Sequence, residues 1–128
     1  MFTAADVIYA YTRAQAIQDG VLVDITERAK EAGFRVSVAV TERVWGECVE
    51  WPETEPAIQD ESGRLWDLVC MAAVAARSGS RRNADRVTFQ LSIVARGYTV
   101  PGLVRLTLHI GPGDKGEPVI TIMMPNED

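Results

Sequence analysis

Histidine occurs once in this sequence, at His109, so any imidazole-dependent metal cluster or acid–base pair must use it. Ser92, His109 and an acid such as Asp114 can be drawn together as a nucleophilic triad, but no nucleophile-elbow sequence surrounds the serine. A histidine on the polar face of a strand is the plainer reading. The second group with chemical potential is cationic: Arg77, Arg81, Arg82 and Arg86 fall within ten residues of an otherwise acidic chain. Guanidinium forks match phosphate and carboxylate, so these arginines form a candidate anion site, set against the alternative of a solvated loop after a helix. The third group is Tyr9, Tyr11, Thr12 and Arg13, which place aromatic rings and donors at an expected helix N-terminus, where anions bind readily. Ligand binding, if this chain has it, is expected to use Tyr11, Arg13 and His109.

Other stretches lose their chemical reading on inspection. Gly111-Pro112-Gly113-Asp114-Lys115-Gly116-Glu117 has the composition of a phosphate-binding loop but not its order. A P-loop needs GxxxxGK, then Ser or Thr at the start of a helix, so that aligned amides meet the phosphates. Here the chain continues as the strand-like PVITIMM, and a glycine hairpin turn is expected. Cys48 and Cys70 fit no zinc spacing and lie in apolar helical contexts, which reads as two buried thiols. Trp45, Trp51 and Trp66 are expected in the core, with an exposed Trp51 as the variant that would suit a partner interface. No metal and no cofactor is implied.

Composition narrows the partners. The 128 residues are 47% apolar and 24% charged, which suits a single domain spanning 1–128. A net charge of -5 disfavours general nucleic-acid binding, because that affinity comes from neutralising phosphates with Lys and Arg. No apolar run approaches the roughly 20 residues that a membrane helix needs, and MFTAADVIYAYTRAQ lacks a basic region followed by an apolar run. Cytoplasmic residence without membrane contact is the expectation.

The elements that must position these residues centre on Ser62 to Arg77, SGRLWDLVCMAAVAAR, apolar around the helical wheel and expected as a buried central helix. Asp60 or Ser62 is placed to cap it, and Gly79 to stop it. Ahead of it, Val7 to Tyr11 reads as a first strand, and Thr12 with Gln15 as a capping box for a helix ending near Asp19 at Gly20. Val21 to Ile25 reads as a second strand. TERAKEAG reads as a helix opened by Asp24 or Thr26 and closed by Gly33, and Phe34 to Val40 as a half-buried strand. ERVWGECVEW reads as a helix capped by Thr41. After a polar loop, Ser78 to Arg86, three alternating stretches form an antiparallel meander. One of its faces meets the central helix, and the other carries Thr88, Gln90, Ser92, Arg105, Thr107 and His109. The fold class is α+β, a mixed sheet with a C-terminal three-stranded antiparallel meander packed on a buried central helix.

Two resemblances follow from these residues. The stretch from Tyr9 through Thr12 and Arg13 to Gly20 resembles the opening of ADP-ribosyltransferase folds, which would imply a catalytic glutamate, with Glu117 as the residue offered. YTRAQAIQDGVLVD (11 to 24), FRVSVAVTERVW (34 to 45), DESGRLWDLVCMAA (60 to 73) and GPGDKGEPVITIMMP (111 to 125) together resemble a family of small uncharacterised proteins encoded on bacterial plasmids, conjugative elements and phages. That resemblance implies a mobile-element context and carries over no catalytic residue.

The leading expectation is therefore a non-enzymatic accessory protein that binds another protein, in its most concrete form a counter-defence protein of the anti-CRISPR or antirestriction type. The rival is a small enzyme or ligand-binding domain handling a nucleotide or phosphate group, using Arg13, His109 and, as a further candidate, Glu117; Tyr11, Arg13 and His109 lining one concave pocket would favour it. A homodimer joined through the open edge of the sheet is the third reading.

Overall fold

The computed structural model describes residues 11–55, 59–81 and 84–127, with side chains left out of the description at 80 and 81. The strand expected over Val7 to Tyr11 lies outside these residues except for Tyr11, which is in no regular element. Helix α1, Arg13–Gln18, opens on the expected capping box: Thr12 Oγ1 accepts from the Gln15 amide, and the Gln15 side chain accepts from the Thr12 amide at 3.0 Å. Gly20 ends the turn at φ 80°. Strand β1, Leu22–Asp24, is followed by helix α2, Thr26–Glu31, whose N-cap is Ile25. Asp24 does the capping work from one position earlier, accepting from the Thr26 amide at 3.0 Å.

Strand β2, Ser37–Thr41, has Val38, Ala39 and Val40 fully buried. The expected half-buried strand is thus a central one, covered on both faces. Thr41 then caps helix α3, Glu42–Val44, accepting from the Val44 amide at 3.2 Å. The expected α-helix does not continue: Trp45–Val49 is a π-helical turn.

The long helix, α4, spans Glu61–Arg81, and Asp60 Oδ1 accepts from the Gly63 amide at 2.6 Å, as its capping position implies. Two expectations about α4 need correcting. Gly79 lies inside the helix, where its missing side chain admits Val87 of the sheet. The helix is also not buried all round. Arg64, Leu68, Val69, Ala72 and Ala75 face the core, whereas Trp66, Met71 and Val74 are exposed. Trp66 lies on the outer face of the helix, where Arg28 covers its ring from 4.8 Å.

Strands β3, Arg86–Ile93, β4, Gly102–Pro112, and β5, Pro118–Met123, form the expected antiparallel meander. Among the described residues the sheet has five strands in the order β1-β2-β5-β4-β3, and β2 beside β5 is its one parallel pair. The core lies between its first face (Val38, Val40, Phe89, Leu91, Leu106, Leu108, Ile120 and Ile122) and α2, the α3–π turn and α4. Burying about ten such aliphatic or aromatic groups, at roughly 1.5–3 kcal/mol each, is what opposes the chain's conformational entropy.

Register puts Thr88, Gln90, Arg105, Thr107 and His109 together on the second face, as their alternation predicts. That face is not a uniform solvent surface, because Thr107, Ala39, Val119 and Met123 are buried on it. Helix α1 lies against its β1–β2–β5 end, with the Arg13 side chain reaching Thr121.

Candidate functional site

Tyr11, Thr12, Arg13, His109, Asp114 and Thr121 line one shallow depression of about 300 Å³ on the second face, between α1 and the β4–β5 hairpin. The hairpin builds it. Gly113 donates to Glu117 O at 2.6 Å, Gly116 turns the chain at φ 79°, and a side chain at Gly113 would strike Glu117. This turn projects Asp114 onto the start of α1, where its two oxygens accept from the Arg13 amide at 2.7 Å and the Ala14 amide at 3.0 Å.

The amides that an external anion would use are thus filled by the chain's own carboxylate. Those two amide donors hold the Asp114 carboxyl below its ordinary range. Arg13 is engaged as well: Nη1 donates to Thr121 Oγ1 and Nη2 to Ile120 O, both at 2.7 Å. Burial lowers its pKa, against the opposing charges of Asp24, Asp114 and Glu117. Only its Nε, which is buried, has no hydrogen-bond partner. The Tyr11 hydroxyl donates to Asp19 at 2.7 Å, a bond that raises the phenol's pKa. His109 is half-buried opposite Arg86 and Thr121, its ring against Gly111.

The structure therefore brings Tyr11, Arg13 and His109 together, as the ligand-handling reading requires, but with the Tyr11 hydroxyl and both Arg13 Nη groups already bonded within the chain. It separates the other proposed constellations. Ser92 pairs with Leu103, six positions along β4 from His109, or about 20 Å at the rise of a strand, so the triad does not form. Glu117 accepts from the Lys115 amide at 3.0 Å within the hairpin turn. The arginines do not form one cradle: Arg77 lies exposed on α4, while Arg86 begins β3 and reaches Met123 Sδ on the second face. Arg81 closes α4 with its side chain outside the description, and Arg82 lies outside the described residues.

Two features escaped the sequence reading. Arg64 is 3% exposed, donates to the carbonyls of Glu47, Val49 and Val94, and stacks over Trp51 at 4.9 Å. It closes the carbonyl end of the π turn and places Trp51 in the core. A signal for it existed, since a cation in the first turn of a helix opposes the dipole and so needs other partners. The second feature is a groove of about 750 Å³ between α4 and the outer edge of β3, lined by Asp67, Cys70 and Met71 of the helix, residues 88–92 of the strand, and Leu103. Cys70 is half-exposed there, which corrects its reading as a buried thiol; Cys48 is buried, as expected.

Among the described residues, no group of three or more His, Cys, Asp or Glu is placed to hold a metal ion, and no helix is long and apolar enough to cross a membrane. The chain belongs to DUF6573, a family of unknown function whose model matches residues 1–128. No curated protein and no solved structure matches it.

Proposed function

We propose that this member of a family of unknown function acts by binding another protein, as a cytoplasmic accessory factor of plasmids, conjugative elements or phages. Inhibition of CRISPR or restriction machinery is the concrete form. The observation that supports binding is the edge of β3, eight residues long and flanked by the α4 groove. Native sheets blunt such an edge with lysine, proline or a bulge. The strand begins at Arg86, but from Val87 to Ile93 there is no charge and no proline, and the register with β4 is unbroken. The acidic charge of -5 suits a partner surface that itself binds nucleic acid.

Affinity capture of the tagged chain from its host tests this reading. Recovery of a defined partner, lost when Met71→Lys places a charge in the groove, is the expected result. Recovery of nothing at mild salt sinks the proposal.

A second reading rests on one observation, the shared depression of Tyr11, Arg13 and His109. As a nucleotide- or phosphate-handling site it requires a phosphate to displace Asp114 from α1. Calorimetric titration with inorganic phosphate and with a nucleotide decides it: saturable heat that disappears in Arg13→Ala supports the site, and no heat removes it.

A further inference from the structure

We infer that the outer edge of β3, which no strand covers among the described residues, takes an extended strand from the partner, adding a strand to the sheet, with alternate side chains of that strand, one of them cationic, facing α4. This rests on the protein-binding reading above and specifies how the partner is held.

The backbone gives the register. The Ile110 amide donates to Asp85 O at 2.7 Å, one step before the Arg86–His109 pair. In an antiparallel ladder, residues that exchange hydrogen bonds alternate with residues that do not. Val87, Phe89 and Leu91 therefore bond to β4, while the amides and carbonyls of Thr88, Gln90 and Ser92 point to the outer edge. The other end of the sheet offers no equivalent, because β1 is only Leu22–Asp24. An outward row of three donors and three acceptors is the chemistry of a strand.

Side-chain recognition follows from the groove wall. A strand laid on this edge alternates between the two faces, and the residues on the α4 side meet Cys70 and Met71 in the middle and Asp67 toward the Ser92 end. The pattern that fits is apolar residues two apart with Lys or Arg beyond them, facing Asp67.

The nature of α4 argues against a second copy of the chain as the occupant. Helix α4 packs over β3 and much less over β4. Two such edges paired in one sheet would set their strands about 5 Å apart, and the two copies of α4, on the same face, at a similar spacing. Packed helices need roughly 8–10 Å between axes. A strand that brings no helix to that place avoids the clash.

The test uses random decapeptides displayed against the full chain. Enrichment of alternating apolar residues with a terminal Lys or Arg is expected. A selected peptide should lose at least tenfold in affinity when its alternate amides are N-methylated, and should protect Cys70 from alkylation. Gln90→Pro removes one outward amide and no bond to β4, and should cause a loss of the same size; the N-methylated peptide gives the answer on the unaltered protein if that variant fails to fold. Absence of enrichment, or affinity that survives both changes, overturns the inference. Concentration-dependent dimerisation abolished by Gln90→Pro overturns it in favour of a second copy. A captured host partner that is lost with Met71→Lys but kept with Gln90→Pro leaves the protein-binding reading standing and removes strand addition.

Discussion

The depression beside α1 and the groove beside α4 lie on opposite sides of one sheet, and they differ in how their polar groups are used. Beside α1 the residue types are those of a binding site, yet Tyr11 is bonded to Asp19, the Arg13 side chain to Thr121 and the Ile120 carbonyl, and Asp114 to the amides that open α1. Beside α4 the side chains are ordinary, but Met71 and Val74 are exposed and, among the described residues, no strand pairs with the outer edge of β3. The contrast teaches that a cluster of reactive residue types is not yet a site. What matters is which donors, acceptors and apolar surfaces remain after the fold has been held together.

The same contrast has an energetic side. Helix α4 is part of the core, whereas α1 is a six-residue helix that buries only Ala16 and is otherwise held to the sheet and hairpin by the Arg13 guanidinium and the Asp114 carboxylate. The largest expected effect therefore belongs to α4. Leu68 is fully buried, and Leu68→Asp places an unpaired charge there at about 3–5 kcal/mol, a large part of a domain's total of about 5–15 kcal/mol. Loss of the cooperative thermal transition is expected, and a retained one would contradict the burial of this face. Next comes Arg64→Met, which leaves the carbonyls of Glu47, Val49 and Val94 without their donor. About 3 kcal/mol of destabilisation is expected from buried carbonyls losing partners, read from urea unfolding.

Effects at α1 should be smaller and local. Arg13→Ala removes two hydrogen bonds from a half-buried position, at about 1–2 kcal/mol in total. Asp114 adds a pH dependence. Its pKa in the folded chain lies below the ordinary value, so its contribution is fully present above the unfolded carboxyl's pKa and is lost as the pH falls through the folded one. Hydrogen exchange at the Arg13 and Ala14 amides should accelerate in that acid range, while amides of the β3–β4 ladder stay protected. Equal acceleration everywhere would show that α1 is not a separate attachment.

The mildest probe is chemical. Burial, and to a lesser degree the charge of Glu47, push the Cys48 thiol up to about 11, while Cys70 is half-exposed in the groove. An alkylating reagent at neutral pH should label Cys70 and spare Cys48. Labelling of both without unfolding would mean that the π turn opens readily.

Much of the local structure was legible in the chain because its signals are local. The Thr12–Gln15 box, the caps at Thr41 and Asp60, Gly20 and Gly33 as stops, and the alternation of β3 and β4 each depend on residues a few positions apart. The buried face of α4 was legible, but its exposed face was not, because Met71 and Val74 carry no mark saying that the neighbouring sheet ends beneath them. The π turn was invisible for a similar reason: its form depends on Arg64, a residue from another helix that takes two of its carbonyls.

Sequence alone thus determined the α+β class, the caps, the meander and the identity of the groups with chemical potential, all properties of composition and short-range periodicity. Tertiary structure decided that Asp114 fills the α1 amides, that Ser92 and His109 stand far apart, and that β3 is, among the described residues, an edge strand with a groove beside it. Those outcomes depend on strand order and on contacts across about a hundred residues of chain, such as Arg13 with Asp114, where spacing along the sequence carries no geometric information.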